Sequence, residues 1–167
     1  AAAAADPERA RDGARFLFAV KRGSLDDMRV LHDGGGVDLG VRNAFGRDAT
    51  HIAARNGRLD LLRWLRANFA AMDSAHPALG DTAMQIACWN GHLEVARWLH
   101  DAGLDAHARN ARGETLVHVA ARRGELATLR WLGEDVGVDW RLTDHSYYRQ
   151  TAREQTAREP ADVRGSL

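Results

Sequence analysis

One glycine recurs at a nearly fixed interval through most of the chain: Gly23, Gly57, Gly91 and Gly124 lie 34, 34 and 33 residues apart. Ala19, Ala53, Ala87 and Ala120 keep those intervals, as do Leu31, Leu65, Leu99 and Leu132. Three markers in one register across four copies are the imprint of a repeat architecture. Each copy reads as two short helices. In the second copy Thr50, Ile52, Ala53 and Ala54 form a compact apolar stretch ending at Asn56-Gly57. Glycine suits a left-handed helix end there, having no Cβ to clash. Leu59, Leu61, Leu62 and Leu65 then mark one face of a second helix at helical spacing. Asp26, Asp27, Asp60 and Glu94 fall in the first turn of second helices, at the positive end of the dipole. Helix pairs this short bury their apolar faces only by stacking, and the small alanines let neighbours approach closely. The spacing predicts an all-α solenoid of stacked helix–turn–helix units.

The segments that open each unit carry a resemblance. Gly113-Glu114-Thr115-Leu116-Val117-His118-Val119-Ala120 closely matches Gly-x-Thr-Pro-Leu-His-x-Ala, the signature of the ankyrin-repeat family. Gly80-Asp81-Thr82-Ala83-Met84-Gln85-Ile86-Ala87 is a fair match, and Gly46-Arg47-Asp48-Ala49-Thr50-His51-Ile52-Ala53 keeps the Gly, His and Ala. Gly91-His92-Leu93-Glu94-Val95-Ala96 is similar to the second-helix signature, and Gly103-Leu104-Asp105-Ala106 to the turn between units. From about Gly13 to Arg153 the chain thus resembles an ankyrin-repeat solenoid, which implies hairpin-like loops between helix pairs. Units are expected at about 13–45, 46–79, 80–112 and 113–145, with a partial fifth at 146–158. Residues 1–12 are expected to be a flexible N-terminal segment and 159–167 a frayed tail, since Pro160 stops a helix. The first unit lacks the signature Thr and His and reads as an N-terminal cap. The signature proline is missing from all three full repeats, and Phe69 stands where the family usually ends a helix with Gly.

Composition excludes several classes of function. Lys+Arg and Asp+Glu both count 23, so no net field draws in nucleic acid or an anionic membrane. Cys88 is the only cysteine, which rules out an intramolecular disulfide and a cysteine-cluster zinc site. No apolar run reaches the roughly 18–20 residues of a membrane span, and Ala1–Ala5 is too short for a signal-peptide core. The chain does not begin with Met, and a fragment or processed product is the reading of that start; an intracellular location, cytoplasmic or nuclear, is the default expectation. Metalloprotease, phosphate-loop and nucleophile-elbow spacings are absent. The Gly34-Gly35-Gly36 run lacks a further glycine at Leu39 and reads as a loop. The resemblance implies that His51 and His118 tie adjacent loops by hydrogen bonds, and His92, at the inter-helix turn, reads the same way. His32, His76, His100, His107 and His145 show no ligand spacing. Cys88 reads as a small buried hydrophobe. No catalytic residue, cofactor site or metal site is expected.

Trp64, Trp98 and Trp131 recur 34 and 33 apart, each just before the recurring Leu, and read as a packing ladder between second helices. Trp89 is different. It follows the small core pair at a position that the family leaves variable and turns toward its concave groove; Asn90 accompanies it, and Arg55-Asn56 and Arg122-Arg123 are the equivalents. An aromatic among arginines is the usual make-up of a binding hot spot. The family's loop tips are also variable and contact partners, here Asn43-Ala44-Phe45, Pro77-Ala78-Leu79 and Asn110-Ala111-Arg112, followed past the glycine by Arg47, Asp81 or Glu114. The partner-binding set is therefore Phe45, Arg47, Arg55, Leu79, Asp81, Trp89, Asn90, Arg112, Glu114, Arg122 and Arg123. Lys21, Arg22, Arg42 and Arg109 add to a face where only Asp81 and Glu114 oppose the cations, so the groove is expected to be basic. The resemblance implies a protein-interaction module that binds another protein, and the basic groove points to a partner with an acidic stretch. Nucleic acid or another acidic ligand on the arginine face is the alternative, as is a recruiting arm of a larger enzyme.

Overall fold

The computed structural model describes residues 7–35, 37–68 and 70–138. Among the described residues eight helices follow one another and no strand forms: α1 (Pro7–Arg22), α2 (Leu25–Gly35), α3 (Ala49–Arg55), α4 (Leu59–Ala67), α5 (Ala83–Trp89), α6 (Leu93–Asp101), α7 (Leu116–Arg123) and α8 (Leu126–Glu134). They pair as α1/α2, α3/α4, α5/α6 and α7/α8, and the first helices stack in series, α1 on α3, α3 on α5 and α5 on α7. The recurring alanines make that stack possible: Ala53, Ala87 and Ala120 are wholly buried and Ala19 nearly so. Leu61, Leu62, Leu65, Leu99, Leu129 and Leu132 fill the space behind them, each worth about 2 kcal/mol of burial.

Each first helix ends the same way. The amide nitrogens of Ser24, Arg58, His92 and Glu125 reach back to the carbonyls of Ala19, Ala53, Ala87 and Ala120 at 2.9–3.0 Å. That bond requires a left-handed residue between, which the recurring glycine supplies with φ near 70°. At the other end, side chains replace the missing proline. Asp48 caps α3 by accepting the His51 amide, and Thr82 and Gln85 cap α5 reciprocally.

Two departures from the sequence expectation have physical reasons. Helix α1 begins at Pro7, ahead of the boundary expected near Gly13, because Pro is well suited to a first helical turn. Of the expected tryptophan ladder only Trp131 is fully buried; Trp64 and Trp98 pack from the edge of the core. Each ring instead takes a partner from the preceding unit, always the residue after the recurring Leu. His32 meets Trp64 edge-on with ring centroids 5.4 Å apart, Arg66 lies 5.8 Å over Trp98, and His100 meets Trp131 edge-on at 5.7 Å. The indole face attracts a cation or a positive ring edge, so His and Arg serve equally at this place. Phe69, His145, the partial fifth unit at 146–158 and the tail at 159–167 lie outside the described residues.

Candidate partner-binding groove

The hairpins that join units are built alike. In the first, the Asn43 carbonyl accepts the Gly46 amide and the Asn43 amide donates to the Arg47 carbonyl; Asn110 and His76 occupy the same place in the other two. The Asn43 and Asn110 side-chain oxygens each accept two further amides of their own turns, and His76 Nδ1 accepts those of Ala78 and Leu79. Adjacent hairpins are also joined. His76 Nε2 bonds the Phe45 carbonyl at 2.6 Å, and the Ala111 amide donates to the Leu79 carbonyl at 2.9 Å.

Behind the hairpins, side chains at the starts of α3 and α5 fix one unit to the next. His51 Nδ1 lies 2.7 Å from Asp48 Oδ1, and its Nε2 lies 3.3 Å from the Asp81 carbonyl of the following hairpin. Gln85 does the same by donating to the Ala108 and Glu114 carbonyls at 3.1 and 2.9 Å. His118 Nδ1 accepts the Thr115 amide at its own helix start. His92 Nε2 reaches the Arg55 carbonyl of the preceding unit at 3.0 Å. The Ser74 hydroxyl bonds the other oxygen of Asp48. Serine here contacts the carboxylate rather than the imidazole, and His51 is wholly buried, so the cluster has the connectivity of a strut and not of an activated nucleophile. Burial alone would push the Asp48 carboxyl up, but hydrogen bonds from His51 and Ser74 and the His51 charge outweigh it and hold the carboxyl below its ordinary value. Burial pushes the Cys88 thiol up to about 12, as expected of an inert core cysteine.

The repeat register places Lys21, Arg55, Trp89 and Arg122 equivalently in the last turns of α1, α3, α5 and α7. One turn earlier come Phe18, Ile52, Ile86 and Val119, so each unit offers a polar or aromatic position above an apolar floor. Between α3, α5, α7 and the three hairpins lies a cavity of about 300 Å³. Trp89, 41% exposed, stands in its wall with Arg55, Asn90 and Arg122 from the helix ends. Arg47, Leu79, Asp81 and Arg112 close it from the hairpins. Arg122 and Arg123 lie 5.0 and 5.3 Å over the Trp89 ring. Of the residues singled out from the sequence, Phe45, Glu114 and Arg123 do not line this cavity; Phe45 lines the neighbouring one and is 73% exposed. Asn90 is turned partly inward, donating from its amide to the Ile86 carbonyl at 2.7 Å.

Glu114 departs most from expectation. It is not a loop-tip contact but a buried anchor: one oxygen takes Arg122, and the other takes Arg112 at 3.1 Å and Asn110 at 3.0 Å. Burial alone would raise its carboxyl, yet the bonds from Asn110 and Arg122 and the charges of Arg122 and Arg112 draw it down. Arg122 is thereby held against Trp89 from behind. Asn110 also donates to Asp81 Oδ1 at 2.8 Å, which links the two acidic groups.

The basic groove expected from the sequence is partly neutralised by these pairings. Arg42 lies 3.6 Å from Asp48 and donates to the Gly46 carbonyl; Arg109 donates to the Gly113 carbonyl in the same way. Both brace hairpins, and Arg112 and Arg122 share the Glu114 charge. Arg47 and Arg55 alone among the cavity's cations make no ion pair or side-chain hydrogen bond with the described residues. The shared segment Arg-Asn-Ala-x-Gly at 42–46 and 109–113 is the signal that distinguishes bracing arginines from the others.

Among the described residues no three His, Cys, Asp or Glu side chains are grouped to hold a metal ion, and no helix is long and apolar enough to cross a membrane. The profile described as ankyrin repeats in three copies matches residues 16–110, and that of ankyrin repeats in many copies matches residues 90–132. The chain belongs to the ankyrin-repeat family, whose members generally mediate protein–protein interaction. No curated protein shows detectable similarity to it.

Proposed function

We propose that the chain is a protein-interaction module that holds an acidic segment of a partner in the groove centred on Trp89. The observation that carries this reading is a half-exposed indole, fixed by two guanidinium groups, beside Arg47 and Arg55, which make no ion pair among the described residues. A rigid aromatic surface offers contact area at little cost in entropy, and the unpaired cations favour carboxylates. Because Glu114 fixes Arg122 in advance, less side-chain freedom is lost when a partner arrives. The Glu114 carboxylate also lowers the positive charge of the wall, which favours a protein segment over a nucleic-acid backbone.

Trp89→Ala is expected to weaken partner binding by about 2 kcal/mol, roughly thirtyfold, with little change in melting temperature. A pull-down with the native chain and with a Trp89→Ala, Arg122→Ala double variant identifies the proteins whose retention depends on the groove. If Trp89→Ala unfolds the array, the ring belongs to the core and the site is misplaced. Retention of DNA or RNA, with affinity falling steeply as salt rises, would instead mark a nucleic-acid groove.

A further inference from the structure

A larger cavity of about 790 Å³ adjoins the Trp89 site toward the N-terminus, between α1, α3 and the first hairpin. Leu17, Val41 and Ile52 line its interior, and Phe18 and Phe45 flank it, 58% and 73% exposed. Two large apolar side chains left in water around one hollow mark a contact surface rather than a stable free surface. Arg47 and Arg55 line this cavity and the Trp89 cavity alike, so the two hollows are successive cells of one trough, and the two cations at their boundary have no ion-pair partner among the described residues. Lys21, the equivalent of Arg55 one unit earlier, stands on the far side.

We propose that the Phe18/Phe45 cavity is a second pocket of the same groove. It takes a large apolar side chain of an extended partner peptide, with an Asp or Glu within about three residues held by Arg47 and Arg55. The spacing follows from geometry. Stacked helices lie about 8–10 Å apart, so one cell spans at most roughly three residues of extended chain at about 3.3 Å each, and its boundary cations fall within that span. Charge decides the occupant: a second copy meeting this one groove to groove would set arginines against Arg47 and Arg55, whereas an acidic peptide neutralises them. The inference rests on the groove reading above and adds the chemistry of its ligand.

The test is a random dodecapeptide library displayed on phage and selected against the intact chain. Enriched peptides are expected to carry Leu, Ile, Phe or Trp within about three positions of an Asp or Glu. For a synthetic copy of the best peptide, Phe18→Ala is expected to weaken binding roughly tenfold or more. Replacing the peptide's apolar residue by Ala should have the same effect, and combining the two changes should add little. Phe18 is exposed, so thermal unfolding followed by circular dichroism should be unchanged. Peptides that depend on Trp89 but lack the apolar residue, or ignore Phe18→Ala, overturn the second pocket and leave the Trp89 groove standing. A library without any Trp89-dependent peptide overturns both.

Discussion

Asp48→Ala is expected to lower the free energy of unfolding by about 3 kcal/mol and the melting temperature by roughly 10 °C. One carboxylate here closes several accounts of hydrogen bonding at once: it caps α3, receives the His51 ring at 2.7 Å, takes the Ser74 hydroxyl and meets Arg42. Losing the cap costs about 1 kcal/mol. Leaving a wholly buried imidazole nitrogen and a half-buried hydroxyl without their acceptor adds about 2 kcal/mol. The same group makes the fold sensitive to acid. In the unfolded chain it takes up a proton near its ordinary value of about 4, whereas in the folded chain it resists protonation to lower pH. Its contribution is therefore complete above about pH 4 and disappears as pH falls through the folded value. Asp48→Asn should flatten the stability profile in that acid window while lowering stability at neutral pH. Urea unfolding at neutral and acidic pH checks both points. An unchanged midpoint for Asp48→Ala would show that the strut contributes nothing.

Gly80→Ala is expected to cost about 2–3 kcal/mol and to weaken partner binding as well. Gly80 has φ +66°, where a Cβ costs about 1–2 kcal/mol. A Cβ there would also stand 2.7 Å from the backbone nitrogen of Ala111, the donor that joins this hairpin to the Leu79 carbonyl. Backbone cannot swing aside, so the two tips must separate and their hydrogen bond is lost. Leu79 and Asp81, on either side of Gly80, line the Trp89 cavity and move with it. Gly113→Ala is the control: its φ is +74°, but a Cβ would meet no described atom within 4 Å. It should show the conformational cost alone, about 1–2 kcal/mol. Equal destabilisation by the two variants in denaturant titrations would remove the tip-to-tip contact as a source of stability.

The fold was legible because stacking demands the same small or left-handed residue at the same place in every unit. Glycine after the first helix and alanine within it have few substitutes, and they survive in the sequence as a period. The tryptophan partners obey the same period, yet they escape a reading by residue identity. His32, Arg66 and His100 look unrelated until a shared indole face shows what they have in common. Trp89 stood out because an aromatic replaced the arginines of its register. The charge of its surroundings did not follow from counting. A guanidinium can turn toward solvent, a carbonyl or a carboxylate, and only the folded hairpin decides that Arg42 and Arg109 turn inward while Arg47 and Arg55 do not. Glu114 illustrates the same difficulty from the acidic side. Its position beyond the hairpin glycine suggested a surface contact, but the arginines and Asn110 converge on it and make burial favourable.

The pairing of each second-helix tryptophan with a residue of the unit before it has a mechanical consequence. Every rung spans one junction and none spans two, so strain at either extremity is not shared with the middle. Pulled or proteolysed from an end, such an array should shed its outermost helix pair while the units around Trp89 keep their shape.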